Sequence, residues 1–194
     1  LFRILSWLRL WLLHGIGCGL GWLVFALSPT YRRRFVANVR QAGQDWRHCR
    51  GAVGQAGRLV AELPRLWFGR PVHVRWDGAQ HIELALAQGS GIVFLTPHLG
   101  SFEITAQAYA ARFGARQPIT VLFRPSRQPR LRALVANART RPGLLVAPTT
   151  LAGVKQLIKS LRLGQSVGLL PDQVPPQGLG VWAPFYGREA YTMT

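Results

Sequence analysis

Between residues 92 and 170 the chain switches hydrophobic period repeatedly, and that alternation restricts the fold more than any other feature of the sequence. Apolar runs at 92–96, 119–123, 144–147 and 167–170 have the length of buried strands, while 104–113, 128–137 and 151–161 have helical spacing. In the last of these helices Val154, Leu157, Ile158 and Leu161 share one face, and Thr150 stands where a capping hydroxyl belongs. A strand, a helix and a second strand in succession return parallel through a right-handed crossover. The expected class is therefore α/β, with a mostly parallel or mixed central sheet flanked by helices. Upstream, 72–76 alternates like a further strand and 79–87 reads as a short helix.

Sheets of this kind carry their chemistry beyond the carboxyl ends of the strands. His98 follows the first run, Arg124 the second and Asp172 the last, so three chemically able side chains are expected on one edge. The stretch Thr96-Pro97-His98-Leu99-Gly100-Ser101-Phe102-Glu103 joins a His, able to exchange a proton near neutral pH, to a carboxylate that can fix its tautomer. Along a continuous helix the two side chains would stand about 140° apart, so a helix alone does not join them. Pro97 disfavours helix at Thr96, Gly100 permits a sharp turn and Ser101 is a candidate N-cap. The expectation is a loop that folds His98 back onto Glu103 in the first turn of the next helix. Ser101 lacks the Gly-x-Ser-x-Gly surroundings of a nucleophile and reads as a cap. Arg124 either grips an anion or bridges the sheet edge to a carboxylate, and Asp172 either positions substrate or closes an Asx-turn. His14, His48, His73 and His81 lack such settings and read as structural or surface residues.

At the other end, Leu10–Leu27 holds 18 residues without a formal charge, and Arg32, Arg33 and Arg34 follow. As a helix this segment is about 27 Å long, just short of a hydrocarbon core of about 30 Å. Residues 1–29 are expected to form an uncleaved membrane-anchor helix, either spanning or interfacial, with 30–194 as the domain it carries. The arginines favour the cytoplasmic side, and Trp7, Trp11 and Trp22 suit interfacial positions. A buried helix of a soluble core competes with this reading, because so short a span is ambiguous. From 31 to 68 the pattern predicts two helices broken near residues 43–51, with a basic face able to rest on anionic headgroups.

Lys and Arg number 24 against 7 Asp and Glu, a net charge of +17 that calls for an anionic partner. Nucleic acid is disfavoured, since the bases are scattered among Trp, Leu and Gly and no zinc-finger or RNA-recognition signature is present. Cys18 and Cys49 make neither a disulfide framework nor a metal-ligand spacing, and reduced thiols in a cytosolic setting are expected.

Several segments carry a resemblance in the same order. They are Tyr31-Arg32-Arg33-Arg34 with Asn38, residues 62–67, residues 89–103, Phe123-Arg124-Pro125-Ser126, Leu170-Pro171-Asp172-Gln173, and Val181-Trp182-Ala183-Pro184-Phe185-Tyr186-Gly187. Behind an apolar N-terminal segment, they resemble the lauroyl/myristoyl acyltransferases of lipid A biosynthesis, within the lysophospholipid acyltransferase-like superfamily. The resemblance implies a membrane-bound enzyme at the cytoplasmic face of the bacterial inner membrane. It would move a fatty acyl chain from acyl carrier protein to a hydroxyl of a lipid A precursor, without cofactor or metal. His98 takes the role of base and Glu103 that of its orienting carboxylate. Arg124 matches the family's Arg-Pro motif and is expected to grip a phosphate or phosphopantetheine; Arg139, Arg141 and Asp172 are expected to contact substrate. Acidic acyl carrier protein, phosphorylated glycolipid and anionic bilayer all suit the +17 charge. The chain begins without Met and ends at Thr194, inside the family's domain, so further C-terminal elements are expected. Two other functions stay open: the same transfer onto another phosphoglycolipid or an amino-acid-containing lipid, and a non-catalytic basic membrane-binding protein.

Overall fold

The computed structural model describes residues 2–123 and 141–193. They belong to two units, Leu1–Pro71 with Asp172–Thr194, and Val72–Pro171.

In the first unit the uncharged segment forms α2 (Leu10–Leu27), preceded by the single turn α1 (Phe2–Leu5). Ser28 and Pro29 then start α3 (Pro29–Gln41): the Ser28 hydroxyl accepts from the Tyr31 N–H at 3.3 Å, and Pro29 needs no helical donor. The expected break at 43–51 contains a short α4 (Trp46–Cys49), and α5 (Gly51–Phe68) follows. Gly54 and Gly57, which lower helix propensity in α5, serve its packing on α2. A Cβ on Gly57 would overlap the carbonyl of Gly17, so glycine at both positions lets the two backbones touch. In the same seam His14 stands 2.9 Å from the buried carboxylate of Glu62. The outward side of α2 is apolar and exposed at Ile16, Leu20, Leu23 and Leu27, unlike a helix sunk in a soluble core. The helix is long and apolar enough to cross a membrane.

The second unit opens with residues 72–76, which make no strand; alternation marks half-burial, and here it is met by the Trp76 ring lying edge-on to Phe113 at 5.4 Å. After α6 (Ala79–Ala87), β1 (Val93–Leu95), α7 (Glu103–Phe113), β2 (Ile119–Phe123), β3 (Leu144–Pro148), α8 (Leu151–Arg162) and β4 (Ser166–Leu169) realise the predicted alternation. The four strands form a parallel sheet in the order β1-β4-β2-β3. Side chains alternate across it. Ile119, Val121, Phe94 and Leu144 pack with Tyr109 and Phe113 of α7, whereas Thr120 bonds to Ser160 of α8 at 3.0 Å, so the two helices cover opposite faces. Thr150 occupies the N-cap of α8, but its side chain makes no capping hydrogen bond. The helix expected over 128–137 lies outside the described residues.

Residues 174–176 remain a loop, and an unanticipated antiparallel hairpin closes the chain: β5 (Gly180–Phe185) and β6 (Arg188–Met193). Its two-residue turn has positive φ at both Tyr186 (48°) and Gly187 (72°), the conformation that matches strand twist.

Candidate active site

The site begins where β1 runs out. Leu95 pairs with Leu169 of β4, and the Thr96 N–H still donates to the Leu169 carbonyl at 3.0 Å. Pro97 has no N–H to continue the ladder. The chain then turns at Gly100, whose φ of 58° is in the left-handed region, and the Phe102 N–H donates back to the Gly100 carbonyl at 3.0 Å. Bonds from the Ile104 N–H to the Ser101 carbonyl and from the Thr105 N–H to the Phe102 carbonyl then start α7, whose first residue is Glu103. Ser101 does not provide the expected cap: Phe102, already in helical conformation, occupies the N-cap without a side-chain bond. Winding tight three-residue turns into the helix makes the hydroxyl unnecessary as its initiator.

His98 is half-buried between β1 and α7, and its ring meets that of Phe102 edge-on at 4.7 Å. Phe102 thus links the two predicted residues, touching His98 with its ring and leading directly into Glu103. A carboxylate in a helix's first turn is favoured by the exposed N–H groups and dipole there. A buried network fixes α7 against the sheet beneath. The Tyr109 hydroxyl lies 2.8 Å from that of Ser166, and Ser166 donates to the Gln117 side-chain oxygen at 3.2 Å. Burial pushes the Tyr109 phenol above its ordinary range, while the Ser166 bond and the Arg116 charge act in the opposite direction.

Since the strands are parallel, Phe123, Pro148 and Leu169 end on the edge that carries Thr96. Arg124 comes directly after Phe123 in the sequence; Arg124 and Arg139 lie outside the described residues. Asp172 follows Leu169 by three residues and belongs to the first unit. Arg141 is elsewhere: its backbone bridges to Leu144 at the amino-terminal end of β3, the edge opposite His98.

One feature of the edge was not legible from the apolar run, which reads as a strand buried on both sides. Val93, Leu95 and Leu99 are exposed, Leu99 to 79%. α8 packs over β2, β4 and the edge strand β3, whereas β1, the edge strand on the other side, keeps an apolar face open beside His98. Among the described residues no group of three His, Cys, Asp or Glu could hold a metal ion.

The family model for bacterial lipid A biosynthesis acyltransferases matches residues 11–194. No curated protein matches the chain.

Proposed function

The chain belongs to the bacterial lipid A biosynthesis acyltransferase family, and from that premise we propose that it transfers a fatty acyl chain from an acyl carrier protein thioester to a hydroxyl of a lipid A precursor. The observation that carries the reading is the seating of His98 beyond β1, joined through Phe102 to Glu103 at the start of α7. The acceptor oxygen attacks the thioester carbonyl carbon as His98 removes its proton, and Glu103 orients the imidazole and stabilises its charged form. When the tetrahedral intermediate collapses, the carbon–sulfur bond breaks and the imidazolium returns the proton to the departing sulfur. Products are an ester and the carrier thiol.

The exposed Val93, Leu95 and Leu99 suit the acyl chain beside such a base. Arg124, with Arg139, supplies cations for the acceptor's phosphate or the donor's phosphopantetheine through charge-assisted hydrogen bonds. Asp172 orients a substrate hydroxyl. Contacts from Arg141 fall on a part of the acceptor distant from the reacting hydroxyl, because its backbone sits at the opposite edge. Residues 1–29 anchor the enzyme and 30–194 contribute to its acyltransferase domain, with Arg32, Arg33 and Arg34 holding it at the cytoplasmic face of the inner membrane. The +17 charge favours both an acidic carrier protein and an anionic bilayer.

Membranes containing the protein, supplied with labelled acyl carrier protein or coenzyme A thioesters and a panel of lipid acceptors, test the assignment. Transfer from the carrier protein to the lipid A precursor is expected. Transfer to other phosphoglycolipids alone would replace the acceptor, transfer from coenzyme A alone would replace the donor, and membrane binding with no transfer would leave a basic membrane-binding protein.

A further inference from the structure

The first unit contains an open groove of about 610 Å³ at the junction of α2, α3 and α4. Phe25, Val36, Val39 and Trp46 give it apolar walls, and the Phe25 and Trp46 rings stack at 5.1 Å with 13° between their planes. Arg32 and Arg40 add two cations to the lining. Its single acid is Asp45, whose carboxylate accepts the Arg47 N–H at 2.6 Å and so caps α4. Arg32 sends one N–H to the Ala26 carbonyl at 3.2 Å, which holds the guanidinium over the end of α2 and leaves further donors on the same planar fork. The groove lies where the exposed apolar residues of α2, including Val24 and Leu27, give way to the cationic α3.

An apolar flank, aromatic walls and two guanidinium groups lining one groove fit an anionic amphiphile and neither a free anion nor a neutral lipid. The geometry points to a site for one anionic glycerophospholipid of the surrounding bilayer, built from residues 24–46. Its phosphodiester meets Arg32 and Arg40, its glycerol region lies against Phe25 and Trp46, and its acyl chains follow Val24 and Leu27. Bound there, the lipid seats the end of α2 at headgroup depth. The site does not depend on the acyl-transfer reading, since none of its residues takes part in that chemistry.

Native mass spectrometry of the detergent-solubilised protein with phosphatidylglycerol or phosphatidylcholine tests this site directly. One phosphatidylglycerol is expected to be retained in preference to phosphatidylcholine. The R32Q/R40Q variant should weaken it roughly tenfold or more, as loss of charge-assisted contacts requires. The R33Q/R34Q variant removes the same charge from the same helix outside the groove, and should stay within about twofold of wild type. Val36→Trp fills the groove with no change of charge and should expel the lipid, which keeps the test decisive if R32Q/R40Q does not fold. Equal weakening by R33Q/R34Q, equal retention of phosphatidylcholine, or displacement by glycerol 3-phosphate at matching concentration would each overturn the assignment. So would displacement by the lipid A precursor, which would make the groove a substrate site.

Discussion

The imidazole of His14 on α2 lies 2.9 Å from the carboxylate of Glu62 on α5, making a polar contact in a seam where Gly17, Gly21 and Gly57 bring the two backbones together. The Glu62 side chain is 8% exposed and that of His14 32%, so the carboxylate has far more to lose if the pair is broken. Its second oxygen, Oε1, is buried with no hydrogen-bond partner among the described residues, which leaves His14 as the principal compensation for removing this acid from water.

His14→Ala should therefore destabilise the protein by about 2 kcal/mol, less than the ~3–5 kcal/mol of a fully buried broken pair, because water reaches the imidazole side. Replacing both residues, as H14L/E62L, should bring stability back to within about 1 kcal/mol of wild type. Thermal unfolding in detergent checks both, at roughly 2–4 °C per kcal/mol for a chain of this size. A double variant as unstable as the sum of the single ones would show that the two side chains act independently.

Gly57 and Gly15 should respond in opposite senses. A Cβ at Gly57 would overlap the Gly17 carbonyl, whereas one at Gly15 meets nothing within 4 Å among the described residues. Gly57→Val is expected to cost about 3 kcal/mol or more through forced separation of the helices, and Gly15→Ala to stabilise by about 0.5–1 kcal/mol through helix propensity. The same unfolding measurement, read as the sign of each shift, decides the matter.

Much of this architecture is legible in the sequence where local period and tertiary role agree. The uncharged segment is α2, and the runs at 79–87 and 119–123 are α6 and β2 with unchanged bounds. Legibility fails where identical local patterns have different partners. Residues 72–76 alternate because Trp76 packs on Phe113, yet no strand pairs with them. The terminal hairpin is hidden by Pro184 and by Tyr186, residues that argue against a strand and a tight turn; a two-stranded ribbon has an open side where a missing N–H is tolerated, and Gly187 relieves the second turn position. His98 and Glu103 were visible as strand-end and helix-start residues. The open face of β1 was not, because exposure depends on where α8 lies, which no period in 92–96 encodes.

Tyr109 predicts an alkaline limit. Burial raises its pKa above the ordinary 10.0 despite the Ser166 bond and the Arg116 charge. The unfolded chain gives up this proton near pH 10 while the folded chain keeps it, so the contribution is complete below about pH 10 and declines as pH rises through the folded value. Tyr109→Phe should lose about 1 kcal/mol at neutral pH with the hydrogen bond to Ser166, and show a shallower loss of stability above about pH 10 than wild type. Denaturant midpoints across that range supply the comparison; parallel slopes would contradict it.

Glu103→Gln should lower kcat by roughly tenfold to a hundredfold with little change in KM, because an orienting carboxylate helps most as the imidazole becomes charged. A change confined to KM would instead make Glu103 a substrate contact.

The most direct measurement is the rate of acyl transfer to the lipid A precursor by His98→Ala in membranes, set against wild type at saturating donor and acceptor. Removing the base should reduce kcat by at least about a hundredfold while membrane association and unfolding temperature stay the same. Transfer at the wild-type rate by a folded, membrane-bound His98→Ala protein would contradict the account.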